Sequence, residues 1–430
     1  MAPLLFLAHR GVSSPSPFSL SFGIPVPDLF WANFAGHPPD PYSLTLVSRG
    51  AVSFMASGIP VRGVESAVGP ALAVFQDKLI LVWSQLESVP EPGLAVPEPG
   101  LVLWSSFDPA SQLWTVPAQI PPPPDVLDRA LRTARSPALA VFEDRLFVAC
   151  RGYGSDSNIH WTSFDGTAWD TTGLYGFSGV NTDVGTANAP AIAAYQGPLD
   201  PKPLLYMAWR GVDDDERLWW ATFDGANWTS QREYAGNGTS NGPAMAVYRN
   251  VLYLVWNGAH GDPRIWFTSL VGVEDADGRH EDWRPRQEVA PGGGVATNES
   301  PAVTVFQDKL YMAHGGLGNS NIYWTFFDGQ DWATFPDGQR QQLTDVNIGT
   351  ASGPALVAFD PMTIPFSQQT RLSRLTHELQ QAALESGQLI GQALTLSEKT
   401  RQLSQTAIET AESLLLKDQE DEEHEDEQPG

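Results

Sequence analysis

The sequence predicts an all-β fold: a six-bladed β-propeller closed by strands from both chain ends and followed by a C-terminal α-helical tail. Three observations carry this. A Pro-Ala-apolar run, first seen as Pro70-Ala71-Leu72-Ala73-Val74-Phe75, recurs at 137–142, 190–195, 243–248, 301–306 and 354–359. Its prolines are 67, 53, 53, 58 and 53 residues apart, a period that marks repeated supersecondary units. The N-terminus opens in the middle of a unit, and the copy at 354–359 supplies the part it lacks.

Within a unit the strands follow in order. The Pro-Ala run is apolar on both faces and reads as buried. The second strand is Leu146-Phe147-Val148-Ala149-Cys150-Arg151, matched at 205–210 and 252–257. The third is Ile159-His160-Trp161-Thr162-Ser163-Phe164, matched at 218–223, 265–270 and 322–327. Short, turn-bounded runs rich in aromatic and β-branched residues are strand signals. Asp165-Gly166, Asp224-Gly225 and Asp328-Gly329 supply the positive φ of a tight turn. A fourth strand is expected to start at Trp169, Trp228, Trp283 and Trp332. Four antiparallel strands per unit make a propeller blade.

At the N-terminus, Leu5-Phe6-Leu7-Ala8-His9-Arg10-Gly11 matches residues 146–152, a second strand, and 29–34 matches a third. The first strand of that blade is therefore the copy at 354–359. A blade shared between the two ends removes the open sheet edges of a linear array. Six first strands imply six blades, with the irregular stretch 36–69 the place where a seventh could hide. The expected divisions are a propeller at 1–360, an amphipathic helical tail at 361–417 and an acidic, disordered end at 418–430.

A polar pattern links the second strand to the third. Arg151, Asp156 and Asn158 correspond at equal offsets to Arg210, Asp215 and Arg217, and to Asn257, Asp262 and Arg264; blade six offers Asn319 and Asn321. Aromatic pairs follow: His160-Trp161, Trp219-Trp220, Trp266-Phe267 and Tyr323-Trp324. Directed polar groups beside an aromatic face suit sugar recognition, where hydroxyls take hydrogen bonds and C–H faces take π surface. One site per blade would convert weak affinity into avidity. The competing reading is architectural: Asp in a loop makes an Asx turn, and blade tryptophans fill the gaps between sheets.

At these residues the repeats resemble the β-propeller lectins of bacteria and fungi, the six-bladed fucose-binding lectins and their seven-bladed relatives. The Ser163-Phe164-Asp165-Gly166-Thr167-Ala168-Trp169 turn is also similar to the Asp-box of sialidases, one residue short between Asp and Gly. The resemblance covers about residues 4–360. It implies non-catalytic carbohydrate binding in clefts between blades, by an arginine, an acidic or amide partner and an aromatic platform. Arg151, Arg210 and the aromatics above are of the right types. The resemblance leaves the sugar open.

Two other functions compete with this one. A sialidase-like glycosidase needs an arginine cluster, a Tyr/Glu pair and an acid Asp; the Arg-Ile-Pro-type start of that family is absent, and Arg10 and Arg62 do not replace it. A protein-interaction scaffold, with the propeller as platform and the tail as assembly device, needs no sugar at all. Metal signals are weak: Glu274-Asp275-Ala276-Asp277-Gly278 lacks the remaining ligands of an EF-hand loop, and one cysteine builds no structural zinc site. No cofactor is expected.

Composition narrows the partners. The net charge of −25 argues against nucleic acid, and no run reaches the length of a membrane span. Eight acids within 418–427 account for part of that charge, leaving 42 acidic against 25 basic residues elsewhere. Cys150 is the single cysteine and reads as strand packing. The start, MAPLLFLAHRG, reads as a blade strand and not a signal peptide; the expectation is a cytoplasmic protein, or one released without a signal peptide. In the tail, Leu372, Leu375, Leu379, Ala382, Leu389, Ala393, Leu396, Leu403, Ala407 and Leu414 follow heptad spacing, which Ser386 and Thr400 interrupt. Residues 366–417 would form a helix that either docks on the propeller or makes a homo-oligomer.

Overall fold

The computed structural model describes residues 3–11, 28–37, 40–56, 59–62, 64–85, 100–108, 113–121, 130–170, 184–275, 278–291, 294–333, 341–343 and 350–359. They lie in the first of two units, Met1–Thr363. The expected helix and the acidic end lie outside the described residues, as do residues 86–99 and 122–129.

Six sheets form a ring. The first strands are Ala355–Phe359, Ala71–Phe75, Ala138–Phe142, Ala191–Tyr195, Ala244–Tyr248 and Ala302–Phe306. Each lies against its two neighbours around a complete cycle. Proline opens each one because it has no N–H to give to a ladder. The residue before it must be small: a Cβ on Gly242 would lie 2.6 Å from the Ala189 carbonyl oxygen, and one on Gly353 2.6 Å from that of Ser300. A cavity of about 140 Å³, lined by the Pro-Ala pairs of all six blades, lies where these strands meet.

The ring closes as the repeats imply. Ala355–Phe359 pairs antiparallel with Leu4–Arg10, Leu4 opposite Phe359 and Ala8 opposite Ala355. Leu29–His37 and Asp40–Ala51 complete that sheet. The rest of the stretch 36–69 is no seventh blade. Ser53–Ala56 and Ile59–Arg62 form a hairpin that joins blade two through Phe54 and Trp114.

First strands turn into second strands through Gln76-Asp77, Glu143-Asp144, Arg249-Asn250 and Gln307-Asp308, all with φ between 47° and 59°. Two successive positive φ values make the turn whose twist matches a hairpin. The core divides into six clusters, one at each seam between neighbouring blades, including the closing seam of blades six and one. Cys150 is fully buried, which pushes its thiol up to about 12, in keeping with packing.

One expectation needs correction. Trp169, Trp228 and Trp332 do not open fourth strands; each makes a single bridge to the third. Trp283 ends Gly278–Trp283, which folds back on the lengthened third strand Ile265–Asp275. Together with Trp114, these rings plug the seams, all 2–8% exposed. Paired fourth strands come later, at Arg232–Gly238, Gln287–Glu288 and Gln341–Gln342. The turn causes this: Asp165 Oδ1 accepts the N–H groups of Thr167 and Ala168 at 2.8 Å and returns the chain too tightly for a ladder.

Candidate functional site

The second strands end in a column of polar residues that faces inward. Arg210 is 8% exposed; its Nε donates to the Thr239 carbonyl at 3.1 Å and its Nη1 to that of Asp213 at 2.8 Å. Arg151 donates in the same way to the carbonyls of Thr186, Gly152 and Gly154. Asn257, 2% exposed, accepts from the Thr239 hydroxyl at 3.0 Å. Arg151 and Arg210 thus pin the segment that enters the next blade, and Asn257 the segment that enters its own, so the two guanidinium groups are not turned outward.

The aromatic pairs divide by the alternation of a strand. Trp220 and Trp324, 3% and 4% exposed, belong to seam cores. Trp161 packs on Phe147 and Phe223 at ring distances of 5.8 and 5.1 Å. All three pack into gaps between sheets, Trp220 and Trp324 buried and Trp161 partly buried. The other member of each pair, His160, Trp219, Trp266 and Tyr323, is half-buried beside the loop.

That loop brings the remaining candidates together. Asp156, Asp215, Asp262 and Asn319 each accept, through Oδ1, the N–H of Asn158, Arg217, Arg264 and Asn321 respectively, at 3.0–3.1 Å. The acid therefore makes an Asx turn. Its second oxygen takes the ring four residues on: Trp219 Nε1 donates to Asp215 at 3.1 Å, Trp266 Nε1 to Asp262 at 3.0 Å, and His160 Nε2 lies 2.7 Å from Asp156. In blade six the pair is neutral, with Asn319 donating to the Tyr323 hydroxyl at 3.5 Å.

Blades four and five carry the same fuller constellation. Nε of Arg217 donates to Asp215 at 2.8 Å and Nη2 at 3.0 Å, and Arg264 binds Asp262 at the same two distances. Each guanidinium carbon stands 4.7 Å from the centre of its tryptophan ring, Trp219 or Trp266. A fourth member closes each group: Glu233 takes Nη1 of Arg217 at 3.1 Å, and Glu288 lies 3.6 Å from Nη1 of Arg264. Burial pushes the Asp215 and Asp262 carboxyls up, but the bonds from arginine and indole outweigh it and hold both below the ordinary value. The same bonds raise Arg217 and Arg264.

Glu233 and Glu288 escape sequence reading because they belong to the fourth strand, directly across from Trp219 and Trp266. A second missed column is legible: Ser66, Thr133, Thr186, Thr239, Thr297 and Thr350 each precede a repeat proline by four residues. All are buried. The Thr186 hydroxyl donates to the Asn188 carbonyl at 3.0 Å and accepts the Asn188 N–H at 3.1 Å, a local turn repeated at Thr133 and Thr239. Among the described residues no group of three or more His, Cys, Asp and Glu side chains could hold a metal ion.

No family model and no curated protein sequence matches the chain. Solved structures similar to it include AofleA from Arthrobotrys oligospora, at 10% identity over 78% of this chain and 83% of that one, with a TM-score of 0.46. Another is the Aleuria aurantia lectin, a fungal six-bladed propeller with a fucose recognition mode, at 14% identity, 71% and 82% coverage and a TM-score of 0.40. A third is a GH43_1 enzyme from Xanthomonas citri complexed with xylotriose, at 14% identity, 48% and 72% coverage and a TM-score of 0.32. This chain's site rests on its own side chains.

Proposed function

We propose that the protein is a non-catalytic, multivalent carbohydrate-binding propeller whose sites are the loops between second and third strands of blades three to six. The observation that carries this is the repeated group Asp215, Arg217, Trp219, Glu233 and its copy Asp262, Arg264, Trp266, Glu288. Exposed ion pairs add only about 0–1 kcal/mol to stability, so fold maintenance does not explain two exposed arginines held over half-exposed indoles by two acids each. Sugar chemistry does. Arg217 uses three of its five N–H donors on Asp215 and Glu233, which leaves two for hydroxyl oxygens. The carboxylates keep lone pairs for hydroxyl hydrogens, and the indole offers apolar area to C–H groups. Blade three, with Asp156, Asn158 and His160, and blade six, with Asn319, Asn321 and Tyr323, present variants of the same unit.

The test is a glycan array with the full-length protein, repeated for Trp219→Ala, Trp266→Ala and the double variant. Each single variant should bind about tenfold or more weakly with the melting temperature within a few degrees, and the double variant should lose avidity further. Undiminished binding in the double variant would remove the sites from these loops. Absence of binding to every glycan, together with capture of a defined protein partner, would decide for the scaffold reading.

A further inference from the structure

The cleft between blades four and five differs from its counterparts in charge. Tyr234 of blade four donates its hydroxyl to the Arg284 carbonyl of blade five at 2.5 Å. Arg232, two residues before Tyr234, therefore faces the segment that carries Arg284 and Arg286. The Arg286 guanidinium lies 4.2 Å from the Trp266 ring centre, and that of Arg232 4.9 Å from the Trp220 ring centre. Trp220 belongs to the core cluster of this one seam, and Trp266 packs against that cluster.

All three arginines are exposed. Unlike Arg217 and Arg264, none of them uses its guanidinium in an ion pair or hydrogen bond among the described residues. The neighbouring acids are already engaged: Glu233 by Arg217, Glu288 by Arg264, and Glu281 by the Tyr206 hydroxyl and the Leu199 N–H. Arg232 feels the Glu281 charge, and Asp282 caps the Trp283 N–H at 2.7 Å. Across from the corresponding ring, blade five has Gln287 opposite Phe267 and blade six has Gln341 opposite Trp324, both neutral. Among the described residues only blade four has an arginine there, Arg232 opposite Trp220.

A guanidinium lying on an indole is held in one orientation and stripped of water on one face, while its planar fork stays open at the edge. That fork matches the two oxygens of a carboxylate or sulfate. In a chain of net charge −25, open arginines gathered in one cleft select for an anion that the rest of the surface repels. We infer that the cleft between blades four and five binds the acidic group of an anionic glycan, with Arg232 and Arg286 as its donors. This rests on the carbohydrate reading above and names the ligand class for one of its sites.

The full-length protein is titrated with lactose, 3′-sialyllactose and lactose 3′-sulfate, with polyglutamate as a polyanion without sugar, at low and high salt. Arg232→Gln, Arg286→Gln and Arg286→Lys are compared, all at exposed positions, with melting temperatures as the check on folding. One or both charged sugars should bind at least about tenfold tighter than lactose, weaken with salt, and lose about tenfold in each Gln variant, with Lys recovering only part. The carboxylate and sulfate arms then say which group the fork prefers. Charged sugars no tighter than lactose, unchanged binding in both Gln variants, or polyglutamate binding as tightly as the sugars would each overturn the inference. If neutral glycans bind the array without preference for charge, the inference falls and the carbohydrate reading stands. If no glycan binds, both fall.

Discussion

Threonine at the head of each repeat shows how single atoms set this architecture. The Thr186 hydroxyl is fully buried and makes two bonds to Asn188, so Thr186→Val keeps the shape but orphans an N–H and a carbonyl. A buried polar group left unsatisfied costs about 1–3 kcal/mol. Thr186→Val should therefore lower the urea midpoint with unchanged slope, whereas Thr186→Ser should stay near the wild type; equal effects would mean that the methyl group, not the hydroxyl, matters. Columns of this kind are legible in sequence because the backbone imposes them at fixed spacing from the proline. Arginine is different. Arg151 and Arg217 read alike on the page, yet one turns to the carbonyls of Thr186, Gly152 and Gly154 and the other to Asp215, Glu233 and solvent. Residue type cannot separate them; the column does, Arg151 sharing the end of the second strand with Arg210 and Arg217 the position after the Asx turn with Arg264.

Between elements, the seam of blades four and five sets two carboxylates on one phenol. The Tyr206 hydroxyl lies 2.6 Å from Asp200 Oδ2 and is also hydrogen-bonded to Glu281 Oε2. One phenolic hydrogen facing two carboxylates leaves their charges close together, which disfavours ionising both. Burial raises Glu281, and the charge of Asp200 adds to this. The folded state thus takes up a proton on Glu281 more readily than the unfolded chain does. Its stabilisation is complete below the ordinary glutamate value of about 4.5 and fades as pH rises through the raised folded value. Asp215 and Asp262 have the opposite sign: their contribution is present above about 3.8 and lost as pH falls. Tyr195 and Arg232 also face the cluster. Glu281→Gln removes the Glu281 titration, so the wild-type melting temperature should fall relative to the variant between pH 4 and pH 8. Parallel profiles would exclude a raised Glu281. None of this was legible beforehand, because Asp200 and Glu281 are 81 residues apart on two blades. Glu233 and Glu288 were hidden for a related reason. They stand 14 and 22 residues beyond their tryptophans, and a hairpin of variable length erases any fixed spacing.

For the whole molecule, the repeat count was legible since a propeller must bury every first strand between two others, and only a ring gives all six that environment. Closure is the feature that makes six sheets one cooperative unit, and it rests on five residue pairs between Leu4–Arg10 and Ala355–Phe359. Phe359 is 2% exposed and meets the Phe6 ring at 5.6 Å, while Leu356 and Ala358 pack into the neighbouring seam. Removing this strand bares the edge of Leu4–Arg10 and opens two seams at once. Chains ending at 353 and at 360 share every other residue of the ring, so their difference isolates the closing strand. The chain 1–360 should melt in one cooperative transition, whereas 1–353 should lose that transition and aggregate through its open edge, with a synthetic peptide of residues 350–360 restoring it. Phe359→Ala, which removes only the plug, should cost about 3–5 kcal/mol while keeping a single transition. If 1–353 melts as sharply as 1–360 and within a few degrees of it, the six blades are held by their seams alone and the strand from the far end is not what joins them.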